Sequence, residues 1–201
     1  MKGVGVAVAA LLVSMEARAG DVGEAAGERD RLGWYAPDYA RVQTGGFLGM
    51  FTAGLGFSAF DDVLNVGGTY GYVPARDGAP PVHLGSLVVS VRPLRLDFGS
   101  HDQFFVRPLY AGFGAFLASM KNSFIVQPDV YPAGYYQPTG LQPLVVFGAE
   151  IGVRERGAAI LRHSLFVEEV TLGQLAEAVV QNEGHGFVDA FSTALGYRAS
   201  F

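Results

Sequence analysis

Cysteine is absent from the 201 residues, which excludes a disulfide scaffold and any zinc or iron–sulfur site built on thiolates. Charge is scarce. Asp, Glu, Lys and Arg make up 16% of the chain, against about 25% in soluble domains. Lysine occurs only at Lys2 and Lys121, and the formal net charge is −5. No basic field exists to attract nucleic acid, and no such partner is expected. Long greasy runs are missing as well. After residue 19 no stretch reaches 18 uninterrupted apolar residues, so a helical membrane protein is excluded. The sequence holds no nucleotide loop, nucleophile elbow or zincin helix. Asp102 follows His101, but no third ligand is close in sequence, so neither a metal nor a cofactor is expected.

What is present is half hydrophobic, at 50%, which excludes a disordered tail and suits one domain with a sizeable core. The start reads as an address. Met1-Lys2 is a short positive beginning, Gly3 to Met15 (GVGVAVAALLVSM) is apolar, and Ala17-Arg18-Ala19 places small residues where a signal peptidase reads. Residues 1–19 are therefore expected to be a secretory signal cleaved after Ala19. Residues 20–33 are expected to form a periplasmic N-terminal arm, and residues 34–201 the folded domain.

That domain is written in period two. In Phe47–Phe60, Phe51, Leu55 and Phe57 alternate with Thr52, Gly54, Gly56 and Ser58. Leu64–Tyr72 sets Leu64, Val66, Tyr70 and Tyr72 against Asn65, Gly67, Thr69 and Gly71. Phe104–Phe116 sets Phe104, Val106, Tyr110 and Phe116 against Phe105, Arg107, Ala111 and Ala115. Val145–Val153 and Phe187–Phe201 repeat the pattern, and His83–Arg92 and Ala158–Val167 are further strands. Strand interiors carry almost no charge, and Arg107, Glu150 and Arg198 fall on the small-residue face. Large apolar residues on one face and small residues with scattered charges on the other make the inverted pattern of a membrane barrel. Aromatics near segment ends match interfacial girdles. The fold-level rival is a soluble, lipocalin-like barrel.

Leu195, Tyr197 and the terminal Phe201 share one face of the last strand. This resembles the C-terminal assembly signal of bacterial outer-membrane barrels. The chain after residue 19 is also similar, in pattern and size, to small outer-membrane barrels such as the transmembrane domain of outer-membrane protein A. The resemblance implies the outer membrane of a Gram-negative bacterium, contact with its lipid and lipopolysaccharide, and delivery by the barrel assembly machinery. The expected fold is an all-β, closed, antiparallel up-and-down transmembrane barrel of eight strands, with ten as the alternative. If Phe201 ends at the periplasm, the turns at Asp61–Val63 and Arg154–Gly157 and the segment Arg95–Gln103 are periplasmic. Val73–Val82, 117–141 and 169–185 are then extracellular. The first strand falls in Trp34–Gln43, with a break at Gly45-Gly46.

Four features are candidates for function. Arg107, Glu150 and Arg198, with Arg162 and Glu168, are expected to form a polar network inside the barrel, since an enclosed charge must be paired or hydrated. Phe124, Tyr131, Tyr135 and Tyr136, stiffened by three prolines, are candidates for a contact surface on an outward loop, the alternative being that the rings pack on each other and fold the loop. Thr171–Asn182 reads as a helix with a Thr171–Gln174 capping box. His163 falls on the lipid face, where an ionisable residue is a catalytic candidate. The lipid A deacylase barrels hold His and Ser two residues apart on that face. Here His163 and Ser164 are adjacent and point to opposite faces. The expected role is structural or surface-interacting. A lipid-modifying enzyme and a small-solute channel are the alternatives.

Overall fold

A computed structural model of the chain describes residues 35–99, 103–119, 124, 139–155, 161–173, 175 and 190–201. The expected signal and arm lie outside these residues, as do His101, His185, Tyr131, Tyr135, Tyr136 and, of the expected helix, residues 174 and 176–182. The strands are β1 (Tyr39–Gly45), β2 (Phe51–Ala59), β3 (Leu64–Val73), β4 (Val82–Val91), β5 (Leu96–Phe98), β6 (Phe104–Ser119), β7 (Leu141–Arg154), β8 (Arg162–Leu172) and β9 (Ser192–Ser200). All pairings are antiparallel, and each ring strand pairs its chain neighbours. β1 meets β9 with Tyr39 opposite Ser200, and β4 meets β6, which closes a ring of eight strands. β5 stands outside the ring and pairs only with β6. It continues the line of β4 in an unchanged register after the break at Arg92–Arg95.

Alternation sorts the side chains as the sequence pattern requires. Leu55, Leu87, Phe113, Ile151, Leu165 and Leu195 point outward and are 52–63% exposed. Arg107, Glu150, Glu168 and Arg198 point inward and are at most 4% exposed. Outward ionisable groups sit near strand ends: His83 near the start of β4, His163 near the start of β8, and Glu169 opposite Thr193 at the start of β9.

Four expectations need correction. Residues 47–50 are a turn, not strand, because Gly45, Gly46 and Gly49 adopt positive φ and fold Leu48 into the barrel mouth. β1 begins at Tyr39, two residues past Pro37, whose missing N–H fits a strand approach poorly. Tyr110 and Phe116 face inward, not outward. Arg107 opposes Glu150, but the next pair is Tyr110 with Gly148, so β6 carries one extra residue. That bulge, at Pro108-Leu109, exchanges the two faces of every later residue in β6. Finally, Thr171 and Leu172 end β8, so the expected helix starts at Gly173 and Thr171 does not cap it: the Thr171 hydroxyl donates to the Leu172 carbonyl at 3.4 Å.

The interior is also not lined by small residues alone. It has two layers. At the end with short turns it is ionic. At the end with long connections, Leu48, Leu84, Phe116, Ala118, Leu144, Val146 and Val170 form a buried apolar cluster.

Candidate functional site

The interior is built from four repeated stacks. Tyr39 lies over Gly56 and Gly67, Tyr110 over Gly148, Phe105 over Gly152 and Phe166 over Gly196. A methyl group on any of these glycines would come within 2.2–2.8 Å of the facing aromatic side chain, at Gly67 of the Tyr39 hydroxyl. Glycine is required at these wall positions because an aromatic ring lies against the bare backbone. Each ring then carries a guanidinium: Arg198 over Tyr39 at 3.7 Å, Arg41 over Phe166 at 4.3 Å, Arg92 over Tyr110 at 4.7 Å and Arg107 over Phe105 at 5.5 Å. A desolvated cation gains about 2 kcal/mol from such a ring face. A Gly56→Val substitution drives the Tyr39 ring from its seat. The expected loss is about 1–3 kcal/mol of overpacking, read as a lower urea midpoint. Combined with Tyr39→Ala, the two losses are expected to fall short of additive, because they remove the same stack.

Three carboxylates complete the network. Asp62 accepts from Arg107 at 2.5 Å and Arg198 at 2.7 Å, faces Arg162 at 3.3 Å, and accepts from the Ser58 hydroxyl at 3.1 Å. Glu150 is held by Arg92 and by the Ser164 hydroxyl, with Arg107 at 3.5 Å. Glu168 accepts from Arg41 at 3.0 Å and from the Tyr110 hydroxyl at 2.9 Å. Asn65 ties this together, donating to the Asp62 carbonyl and accepting from Arg198 at 2.7 Å.

Arg107, Glu150, Arg162, Glu168 and Arg198 therefore all face the interior. Glu168 pairs with Arg41 and Tyr110, nearer the middle, while the other four meet around Asp62 and Glu150. Sequence reasoning missed Arg41, Arg92 and Asp62. Arg41 shares parity with Tyr39 and Gln43 on β1, a signal that was readable once that strand was placed. Arg92 follows the last residue of β4 and Asp62 belongs to a turn, so neither has a strand face to read.

Asp62 reaches inward because the turn is unusual. Phe60, Asp61 and Asp62 all have positive φ, at 55°, 54° and 66°. A left-handed residue costs about 1–2 kcal/mol, and Asp tolerates it better than most. The contacts to three guanidiniums offset that cost. Burial alone would raise the Asp62 carboxyl, but Arg198, Arg107, Arg92 and Arg162 outweigh it and hold the group well below the usual carboxylate range. A depressed folded value stabilises the protein above the unfolded Asp value of about 3.9, and the contribution fades as pH falls below it. The urea midpoint of the folded barrel is expected to fall below pH 4. Asp62→Asn flattens that acid limb.

His163 points outward, as its parity requires. Its Nδ1 bonds the Tyr197 hydroxyl, and its Nε2 lies 3.8 Å from Glu155. Ser164 is buried on the opposite face and donates to Glu150, so no Ser–His pair forms. His83 makes a matching contact at the other rim, 2.5 Å from the Tyr70 hydroxyl. Phe124 donates its N–H to the Thr139 hydroxyl at 3.4 Å and accepts from Gly140. Leu195 and Tyr197 face outward on β9, and Phe201 donates its N–H to the Asp38 carbonyl at 2.9 Å. Among the described residues no group of three His, Cys, Asp or Glu side chains is placed to hold a metal ion.

No protein-family profile matches the chain, and no curated protein matches it. Among solved structures it is similar to the N-terminal beta-barrel domain of Pseudomonas aeruginosa OprF, with a TM-score of 0.41 and 14% sequence identity over 82% of this chain and 98% of that one.

Proposed function

We propose that the chain is an integral outer-membrane barrel of a Gram-negative bacterium whose role is structural or surface-interacting, with a sealed interior. One observation carries this reading: the protein is inside-out. Its strand charges gather within, in ion-pair contact with one another, and its exposed strand faces are mostly Leu, Ile, Val and Phe. Water rewards the reverse arrangement, whereas hydrocarbon rewards this one. Closure of the ring leaves no unpaired edge in the apolar belt, apart from β5, which lies beyond the end of β4. The His163–Tyr197 and His83–Tyr70 pairs, at opposite ends, suit the two lipid–water interfaces, where amphipathic rings are favoured. The apolar cluster across one end and the ion pairs across the other support a closed interior over a channel. The inward burial of Ser164 removes the nucleophile that a lipid-modifying reading of His163 would need.

The test is fractionation of the expressed protein with a gel run before and after boiling. Recovery in the outer-membrane fraction and heat-dependent migration are expected. Release into the aqueous phase without detergent overturns the membrane reading. Planar bilayers containing the purified barrel are expected to stay silent, and steady single-channel steps overturn the sealed interior. A His163→Ala strain is expected to keep its lipid A profile; a changed profile restores the enzymatic alternative.

A further inference from the structure

The described interior is unbalanced in two independent ways. Five guanidiniums, those of Arg41, Arg92, Arg107, Arg162 and Arg198, face three carboxylates, those of Asp62, Glu150 and Glu168. Hydrogen-bonding capacity is skewed in the same direction. Among the described residues, the buried side-chain atoms without a protein partner are five N–H donors and one acceptor. The donors are Arg41 Nε, Gln43 Nε2, Arg92 Nε, Arg107 Nε and Arg198 Nη1, and the acceptor is Gln142 Oε1. Buried donors and uncompensated buried charge are both costly, and both deficits are met by one kind of partner: something negative that only accepts.

There is a place for it. A cavity of about 20 Å³ is lined by Arg41 and Arg92, with Tyr39, Ser90, Tyr110 and Glu168 in its wall. That is room for one occupant of roughly water size. Arg92 is 5% exposed. Its Nη1 is spent on Glu150, and its Nε–H is not. Glu168, the carboxylate in the wall, has its charge engaged by Arg41 and the Tyr110 hydroxyl. The wall itself holds two guanidiniums against this one carboxylate, and Glu150, the partner of Arg92 outside the wall, is shared with Arg107. A water here would satisfy a donor but bring no charge. A halide does both.

We propose that the cavity between Arg41 and Arg92 binds one small monovalent inorganic anion of halide size. The site belongs to the folded ring and is independent of whether the barrel lies in a membrane. Bound only by the native state, the anion stabilises it by mass action.

The experiment uses the full folded barrel in detergent and bromide as the probe. Crystals grown with sodium bromide are expected to show an anomalous peak between Arg41 and Arg92. In solution, the thermal midpoint is expected to rise as bromide replaces gluconate at constant ionic strength, and the rise is expected to vanish in Arg92→Met. The wild-type comparison of the two anions stands even if that variant does not fold. Density without anomalous signal, bromide found only on the outer surface, or equal midpoints in bromide and gluconate each overturn the proposal.

Discussion

Asp62→Ala is expected to destabilise the folded barrel by about 3–5 kcal/mol, the usual cost of deleting one member of a buried ionic network. The side chain is small and lies in a turn, yet three guanidiniums converge on it, two of them at most 2% exposed. Removing it strands Arg107 and Arg198 without their closest acceptor, in an interior that already holds more positive charge than negative. The variant also keeps the left-handed turn while losing the contacts that offset it. Urea unfolding in detergent or lipid vesicles measures the change. Arg76→Ala is the control: its pair with Asp77 is 87–88% exposed, and an ion pair in water contributes little, so its midpoint is expected to match the parent. Equal midpoints for Asp62→Ala and Arg76→Ala would dismiss the network as a source of stability.

Leu55→Arg is expected to cost about 2–4 kcal/mol in a bilayer, the range for a cation on the lipid face near the midplane. Leu55 is the fifth of nine residues in β2 and is 52% exposed. On a soluble barrel the same change would be close to neutral, since an exposed Leu in water has no contacts to lose. The substitution therefore measures what surrounds the outer wall. Unfolding in phosphatidylcholine vesicles reads the loss, and an unchanged midpoint there would mean that the outward leucines do not touch hydrocarbon.

How far the molecule was legible depends on where each residue sits along a strand. Period two assigned faces in β2, β3, β7, β8 and β9, because none of those strands carries an extra residue of its own. The same rule failed in β6 beyond Arg107. An extra residue at Pro108-Leu109 is silent in the alternation of bulk, since Tyr110 and Phe116 look as apolar as the outward-facing Phe113. The role of the inward aromatics was illegible for a related reason. Tyr39, Phe105, Tyr110 and Phe166 are neither core nor girdle but platforms for guanidiniums, and a glycine on the next strand gives the only hint of that. Pairing of glycines with rings across strands needs the register, which no single stretch of sequence carries. Asp62 escaped because turn aspartates usually face water; only the run of positive φ aims this one inward.

The ionic cluster has a consequence for how the chain can assemble. Its members are far apart in sequence: Asp62 meets Arg198 across 136 positions, Arg107 across 45, and Arg41 meets Glu168 across 127. A sheet lacking β9 would hold Asp62 without Arg198 and leave Tyr39 without its cation. No partly assembled arc of strands is electrically complete, so shortened versions gain little from the contacts they retain. Joining of the first and last strands is then the event that makes all earlier pairings worthwhile, and the cylinder forms as a single cooperative unit, at the slow pace that distant pairings impose.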